Sequence, residues 1–257
     1  MTNHLYIITG ASKGMGFAMA RQLLDQKHRL LCISRSASAA LASAALRTRC
    51  ELTQWTDDLC DPLPVATRLK TWLQSQVLHD MTSATLINNA GVIPPLVPLH
   101  ESDPVELVQA IRVGLEAPLA MSATFLAATR PWSATRRVLN ISSGLGRRPM
   151  ASQSAYCAAK AGLDHFTRCM ALDEALEVNG ARVCSLAPGV IDTDMQAQLR
   201  NASLASFPDQ AGFSQLKSEG HLTSADEAAS RVLAWLHCSN FGKQPVADVR
   251  ELASASR

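Results

Sequence analysis

Two side chains capable of acid–base chemistry, Tyr156 and Lys160, lie four residues apart in a segment with helical periodicity. Residues i and i+4 of a helix share one face, so the phenol and the ammonium are expected to meet there. A tyrosine with an ordinary pKa of about 10 is a poor acid–base catalyst at neutral pH, and a neighbouring positive charge lowers that pKa. The pair predicts general acid–base catalysis. The alternative is a helix with a partly buried tyrosine and a lysine that reaches solvent.

A serine can assist this pair. Ser142 and Ser143 directly follow a short apolar run, residues 137–141, that is predicted to be a strand. A serine hydroxyl in this place can donate a hydrogen bond to a substrate oxygen on which negative charge develops. Both serines are also compatible with an ordinary turn.

A glycine-rich segment, residues 9–16, reads Thr-Gly-Ala-Ser-Lys-Gly-Met-Gly between a predicted strand and a predicted helix. Glycine permits the tight turn, lets the backbone approach a pyrophosphate and allows the helix to pack close to the sheet. The helix N-terminus then presents free N–H groups to the phosphates. An ordinary glycine turn is the alternative, but the strand–turn–helix context favours a dinucleotide site.

The end of the second predicted strand indicates which dinucleotide is bound. Folds that select NAD place an acid there, whereas this chain has Ser34 and Arg35. Arg35 can bind a 2′-phosphate with two parallel hydrogen bonds, and Lys13 can add a second positive charge, although either cation alone is an ordinary surface charge. The sequence therefore predicts NADP(H). Asp58, after the third strand, is predicted either to bind the adenine amine or to cap a helix.

Short apolar runs alternate with longer amphipathic segments along the chain, which is typical of βα units and a parallel sheet. We expect an α/β fold, a single doubly wound Rossmann domain over residues 1–257 with a central parallel sheet and helices on both faces. Residues 189–223 lack clean periodicity and are predicted to be a long excursion with at most one short helix, acting as a substrate lid. The predicted strands are residues 5–9, 29–34, 51–56, 85–88, 137–141, 182–187 and 245–249. The predicted helices are residues 16–26, 37–46, a segment after Pro62, 104–128, 154–176, and a last one capped by Ser224 with Glu227.

Composition excludes several classes of function. The net charge of +2 and the isolated arginine pairs give no basic stripe for nucleic acid. Seven scattered cysteines without a CxxC motif predict free thiols in a reducing cytoplasm, and the dispersed histidines predict no metal site. The N-terminus lacks the pattern of a secretory signal, and no apolar stretch is expected to reach the length of a membrane span.

The motifs together resemble the short-chain dehydrogenase/reductase family. They are Thr9–Gly16 with its three glycines, Asn88-Asn89-Ala90-Gly91, Ser143, Tyr156-x-x-x-Lys160 and Pro188-Gly189, in family order over nearly the whole chain. Residues 188–196 and 216–222 are similar to sepiapterin reductases and bacterial benzil reductases. The resemblance selects Ser143 over Ser142, through its spacing of thirteen residues from Tyr156. It implies that the cofactor-binding residues are Gly10, Ser12, Lys13, Gly14, Met15, Gly16, Ser34, Arg35, Asp58, Leu59, Asn89, Ala90, Gly91, Tyr156, Lys160, Pro188, Gly189, Ile191 and Thr193.

The resemblance also implies an activity, the NADPH-dependent reduction of a small carbonyl compound: an aromatic ketone, a diketone or the side-chain ketone of a pterin. Tyr156 donates the proton, Ser143 stabilises the developing charge, and Lys160 with the positive nicotinamide of the oxidised cofactor lowers the tyrosine pKa. A homodimer through residues 104–128 and 154–176 is expected. The alternatives are alcohol oxidation and a non-catalytic NADPH-binding sensor or scaffold. The expected substrate residues are Leu145, Pro149, Met150, Met195, Leu199, Phe213 and Asp248, the last being equally well a surface residue.

One position departs from the family pattern. Many members carry an asparagine in the long helix before the fifth strand, where it helps to order a water in a proton relay, and Gly114 stands at the aligned position. Three accounts are open. A water fills the vacated space and the enzyme works more slowly, the relay is not needed for this substrate, or the protein binds NADPH without catalysis. The presence of Ser143, Tyr156 and Lys160 favours the first.

Overall fold

A computed structural model describes residues 3–76 and 81–251 of the chain. Within these ranges seven parallel strands form one sheet in the order β3-β2-β1-β4-β5-β6-β7. This arrangement confirms the predicted doubly wound α/β fold. The strands are β1 (Asn3–Thr9), β2 (His28–Ser34), β3 (Glu51–Thr56), β4 (Met81–Asn88), β5 (Thr135–Ile141), β6 (Arg182–Ala187) and β7 (Val246–Asp248).

Helices cover both faces of this sheet, because the strands are apolar on both sides. In β1, Leu5 and Ile7 face one core cluster while Tyr6 and Ile8 face the other. Such continuous apolar runs are expected of parallel strands that are buried on both faces. The helices are α1 (Gly14–Gln22), α2 (Ala39–Thr48), α3 (Pro62–Gln74), α4 (Pro104–Ile111), α5 (Ala117–Thr129), α6 (Ser154–Ala175), α7 (Asp194–Asn201), α8 (Gln210–Ser218) and α9 (Ala225–His237).

The predicted helix 104–128 is interrupted. α4 and α5 are joined by a π-helical turn, Arg112–Glu116, and turns of this kind are frequent at functional sites. The combined segment Pro104–Thr129 is long and apolar enough to cross a membrane, contrary to the expectation from sequence. Core helices of soluble proteins share this property, and Met121 and Phe125 of α5 are fully buried against the sheet.

The excursion after β6 contains two helices, α7 and α8, where the sequence indicated at most one. Its two ends are held together at the base, since Ile191 pairs with Thr223 as an isolated bridge and Asp192 N donates to Thr223 O at 2.9 Å. Phe207 is fully buried and stacks on Phe213 of α8, with ring centroids 5.7 Å apart. The excursion is thus a compact unit with a small core of its own. α9 then begins as predicted, with Ser224 Oγ accepting from Glu227 N.

Candidate active site

A cavity of about 1060 Å³ opens at the carboxyl ends of the strands. The sheet order reverses between β1 and β4, and in doubly wound folds ligands bind at such a switch point. All nineteen residues assigned to cofactor binding from the sequence line this cavity. Ser143, Leu145, Met195 and Asp248 also line it. Residues of α7 and α8, within the excursion after β6, form one wall of the cavity.

The glycine segment between β1 and α1 has the geometry of a phosphate cradle. Gly10 and Gly14 adopt left-handed backbone conformations, with φ of 69° and 57°. A side chain at Gly16 would lie 2.2 Å from the Gly10 carbonyl oxygen, so only glycine lets α1 begin this close to the strand end. α1 has no side-chain cap and no acid in its first turn. Its terminal N–H groups are therefore available to an anion in the cavity.

The segment after β4 braces this cradle. Thr9 Oγ1 accepts from the backbone N–H groups of Asn89 and Ala90, at 3.0 and 3.1 Å. The Asn89 amide in turn donates to the carbonyls of Thr9 and Gly10, at 3.0 and 3.2 Å. The ends of β1 and β4 are thereby cross-linked on the floor of the cavity, and the glycine turn has a fixed position.

The cations predicted to select NADP(H) differ in their surroundings. Arg35 lines the cavity, is exposed, and forms no ion pair with an acid in the described part of the chain. Lys13 Nζ instead lies 2.7 Å from Asp194 Oδ2 of α7, as an exposed pair. Exposed pairs are worth at most about 1 kcal/mol, so Lys13 can exchange this partner for a phosphate. Asp58 Oδ1 accepts from Cys60 N at 2.9 Å and does not cap α3.

Tyr156, Lys160 and Ser143 are brought together on one side of the cavity. Tyr156 and Lys160 occupy successive turns of α6, and Ser143 follows β5 at the start of a short 3-10 turn, Gly144–Gly146. Ser143 Oγ accepts from Leu145 N at 3.1 Å, which fixes the hydroxyl oxygen and leaves its hydrogen free to donate. Lys160 Nζ donates to Ile141 O at 2.7 Å and lies 5.7 Å from the centre of the Tyr156 ring.

The lowering of the Tyr156 pKa that is expected from Lys160 together with an oxidised nicotinamide stays a prediction. Burial raises the pKa of Tyr156 to about 12, and a hydrogen bond with Ser143 opposes that rise. Burial also lowers the pKa of Lys160 to about 8, partly opposed by the buried carboxylate of Asp164. The phenol is therefore protonated at neutral pH, but it is a weak acid unless positive charge near it lowers its pKa.

A buried hydrogen-bond network behind the site holds α6 against the sheet. Asn88 Nδ2 donates to Asn140 Oδ1 at 2.8 Å and to Ser122 Oγ at 3.0 Å. Asn140 Nδ2 donates to Thr167 Oγ1 at 2.9 Å. Thr167 is on α6, about two helical turns beyond Lys160. Sequence reasoning missed the network, except for Asn88. The only sign of this network in the sequence is the presence of polar residues within the otherwise apolar strands β4 and β5.

The π-helical turn accounts for Gly114. A side-chain carbon added there would lie 3.0 Å from Ala159 Cβ on α6. The next residue, Leu115, packs closely on Gly162 of α6, where an added carbon would meet its side chain at 2.8 Å. Gly114 thus lets the turn approach the helix that carries Tyr156. The vacated space assumed from the sequence is partly filled by this close packing, and the three accounts of Gly114 stay predictions.

The predicted substrate residues divide into two groups. Leu145, Met195, Leu199 and Phe213 line the cavity, whereas Pro149 and Met150 are not among the described residues that do. The backbone of Met150 instead lies against the Cys157 thiol. Cys157 follows Tyr156 directly on α6, so its side chain points about 100° away from that of Tyr156 around the helix axis. Gln153 and Gln196, which the sequence did not single out, do line the cavity and are buried.

Asp248 ends β7 inside the cavity wall and is buried, not a surface residue. Its two carboxylate oxygens accept from Arg250 at 2.7 and 2.6 Å. These hydrogen bonds lower the pKa of Asp248, and Arg147 lies 3.9 Å away. The negative charge of this carboxylate is thus balanced by arginines of the protein itself, which weakens the expected role of Asp248 as a substrate anchor.

A nucleotide cradle and a Tyr–Lys helix at the switch point of a parallel sheet define a dinucleotide-dependent oxidoreductase fold. The sequence profile described as short chain dehydrogenase matches residues 4–204, and the chain belongs to that family. Benzil reductase ((S)-benzoin forming) of Bacillus cereus is 34% identical over 245 residues, covering 95% of this chain and 98% of that protein. Sepiapterin reductase of Meriones unguiculatus is 30% identical over 246 residues, covering 91% and 92%. A short-chain dehydrogenase/reductase crystal structure from Burkholderia vietnamiensis has a TM-score of 0.63 at 33% identity, covering 96% of this chain and 99% of that chain.

Proposed function

We propose that this protein reduces an aromatic ketone or diketone to an alcohol with NADPH. The observation that carries the proposal is that Ser143, Tyr156 and Lys160 line the same cavity as the glycine cradle. The relatives named benzil reductase, which align over nearly the whole chain, favour a diketone, and the relatives named sepiapterin reductase favour a pterin side-chain ketone as the second choice.

The residues present fit NADPH. The uncapped start of α1 suits the pyrophosphate, and Arg35 at the end of β2, which forms no ion pair in the described part of the chain, suits a 2′-phosphate. When bound, NADPH supplies a hydride to the carbonyl carbon. Tyr156 and Ser143 hydrogen-bond the carbonyl oxygen, and Tyr156 gives it a proton as negative charge develops there. Lys160, whose pKa is lowered to about 8, holds an ammonium near the phenol at neutral pH and stabilises the tyrosinate that is left when Tyr156 has given its proton to the carbonyl oxygen.

Turnover with NADPH is the direct test of this function. Consumption of NADPH, followed by its absorbance, is measured against aromatic diketones, simple ketones, aldehydes and sepiapterin, with NADH in parallel. We expect the largest kcat/KM for an aromatic diketone with NADPH. An NADPH-dependent rise in Tm without turnover of any carbonyl would contradict the proposal and favour a non-catalytic nucleotide-binding protein.

Exchanging Arg35 for an acid should change the cofactor preference. Arg35→Asp removes the bidentate partner of the 2′-phosphate and adds a repulsive charge, so the ratio of kcat/KM with NADPH to that with NADH is expected to fall by about 100-fold. Arg47→Asp makes the same charge change on exposed α2, outside the cavity wall, and serves as the control. An equal ratio in Arg35→Asp and in the unsubstituted protein would refute this role of Arg35.

We further infer a cytoplasmic homodimer in which residues 1–257 act as one NADP(H)-binding domain and residues 189–223 as its substrate lid. Exposed apolar side chains on the two long helical segments support the dimer: Val105 and Val108 on α4, Leu119 on α5, and Leu172 on α6. All seven cysteines are free, which suits a reducing compartment. No role for nucleic acid, membrane or metal is part of the proposal.

A further inference from the structure

Gln153 places an uncharged amide in the cavity wall with neither polar atom hydrogen-bonded. The residue is 1% exposed and lines the cavity. Neither its side-chain nitrogen nor its side-chain oxygen has a partner in the described part of the chain. Buried polar groups are paired in the large majority of cases, because an unpaired one loses its hydrogen bonds to water without replacement. Two such atoms on one side chain indicate that a ligand completes their hydrogen bonding.

A second glutamine in the same wall shows that burial there does not in general leave an amide without hydrogen-bond partners. Gln196 on α7 is 3% exposed and also lines the cavity. Its nitrogen donates to Phe213 O at 3.3 Å, and its oxygen accepts from the Arg200 guanidinium. Gln196 therefore has a structural role that joins α7 to α8. Gln153 has no comparable partner.

The position of Gln153 indicates which part of a ligand it meets. It is the N-cap residue of α6, three residues before Tyr156, and its backbone oxygen accepts from Cys157 N at 2.8 Å. Tyr156 and Ser143 are committed to the oxygen of the reacting carbonyl under the proposed function. An amide three residues away is suited to a neighbouring oxygen of the same molecule. Because it is neutral, it recognises a carbonyl or hydroxyl oxygen without requiring a counter-charge.

We infer that Gln153 is a specificity residue that binds a second oxygen adjacent to the reacting carbonyl, so that the preferred substrate class is vicinal dicarbonyl compounds. This inference rests on the proposed reductase function. The amide N–H donates to the second carbonyl oxygen and remains bonded to it after the first carbonyl has become an alcohol. A ketone without that oxygen leaves the buried amide unpaired and is therefore bound less well.

The test compares two ketones with one carbon skeleton, 1-phenyl-1,2-propanedione and 1-phenyl-1-propanone. The ratio of their kcat/KM values with NADPH is measured for the unsubstituted protein and for Gln153→Met, which keeps the length of the side chain and removes both polar atoms. Intrinsic reactivity favours the diketone, but it cancels when the two proteins are compared. We expect the ratio to fall by about tenfold to a hundredfold, mainly through the diketone.

Gln196→Met is the matched control and is expected to leave the ratio unchanged. Gln153→Asn keeps the amide but withdraws it by one methylene, and we expect it to lower the ratio by a smaller factor. This variant tests the role of the amide if Gln153→Met folds poorly. Equal losses on both ketones in the Gln153 variants would mean a structural role and overturn the inference, while the reductase function stands. Should the unsubstituted protein turn over neither of these ketones nor any other carbonyl of the panel, the proposed function and this inference would fall together.

Discussion

Tyr156→Phe is expected to lower kcat for carbonyl reduction by about 10²–10⁴-fold while NADPH binding stays nearly unchanged. The substitution removes only the phenolic O–H, so the packing of α6 around the ring is preserved. In the unsubstituted protein this group carries a proton throughout neutral pH, because burial raises the pKa of Tyr156 to about 12. Phenylalanine has no proton to give, so the negative charge that develops on the carbonyl oxygen is then stabilised by the hydrogen bond from Ser143 alone.

Steady-state NADPH consumption gives kcat, and the shift in Tm with NADPH reports binding. The chain provides a matched control, since its other tyrosine, Tyr6, is buried in β1 and its hydroxyl bonds to His237 Nε2 at 3.0 Å, outside the cavity wall. Tyr6→Phe is expected to cost about 1 kcal/mol of stability and to leave kcat unchanged. If Tyr156→Phe retained most of its activity, Tyr156 would not be the proton donor.

The elements that hold the site were predictable because their signals are local. The predicted strands at residues 51–56 and 182–187 coincide with β3, Glu51–Thr56, and β6, Arg182–Ala187. A strand that is buried on both faces, such as β6, is marked by a mostly apolar run, and a glycine turn before a helix is equally local. The ends of these strands then had to meet at one edge of the sheet. This is why residues far apart in sequence, such as Arg35 and Tyr156, could be assigned to one cavity.

Features that depend on tertiary packing were not predictable in the same way. Gly114 reads as a missing side chain in the sequence, but its meaning lies in the approach of Ala159 from another helix. The spacing of Tyr156 and Lys160 places both on one face, yet it cannot show that the ammonium turns to the Ile141 carbonyl or that burial raises the phenol pKa. Gln153 carries no motif, and its two unpaired atoms are visible only once the cavity wall is assembled.

The far end of α6 should be a sensitive point for stability. Glu174 in its last turn is 7% exposed and faces the 2% exposed Arg136 of β5 at 3.6 Å. The Glu174 carboxylate also accepts from Ala181 N at 2.6 Å, where the chain enters β6. Glu174→Ala leaves a buried arginine without its counter-charge and a buried N–H without an acceptor. We expect a loss of about 3–5 kcal/mol in the free energy of unfolding.

Urea denaturation measures this loss, and Glu177→Ala is the matched control one turn further along. Glu177 pairs with Arg130, but those side chains are 42% and 47% exposed, so the expected cost is at most about 1 kcal/mol. Similar losses in the two variants would contradict the role assigned to burial. Glu174 lies eighteen residues from Tyr156, roughly 27 Å along the helix, so kcat of the folded Glu174→Ala protein should be unchanged at low temperature. Stability and chemistry would then be separable at the two ends of one helix, with Glu174 anchoring α6 and Tyr156 acting from it.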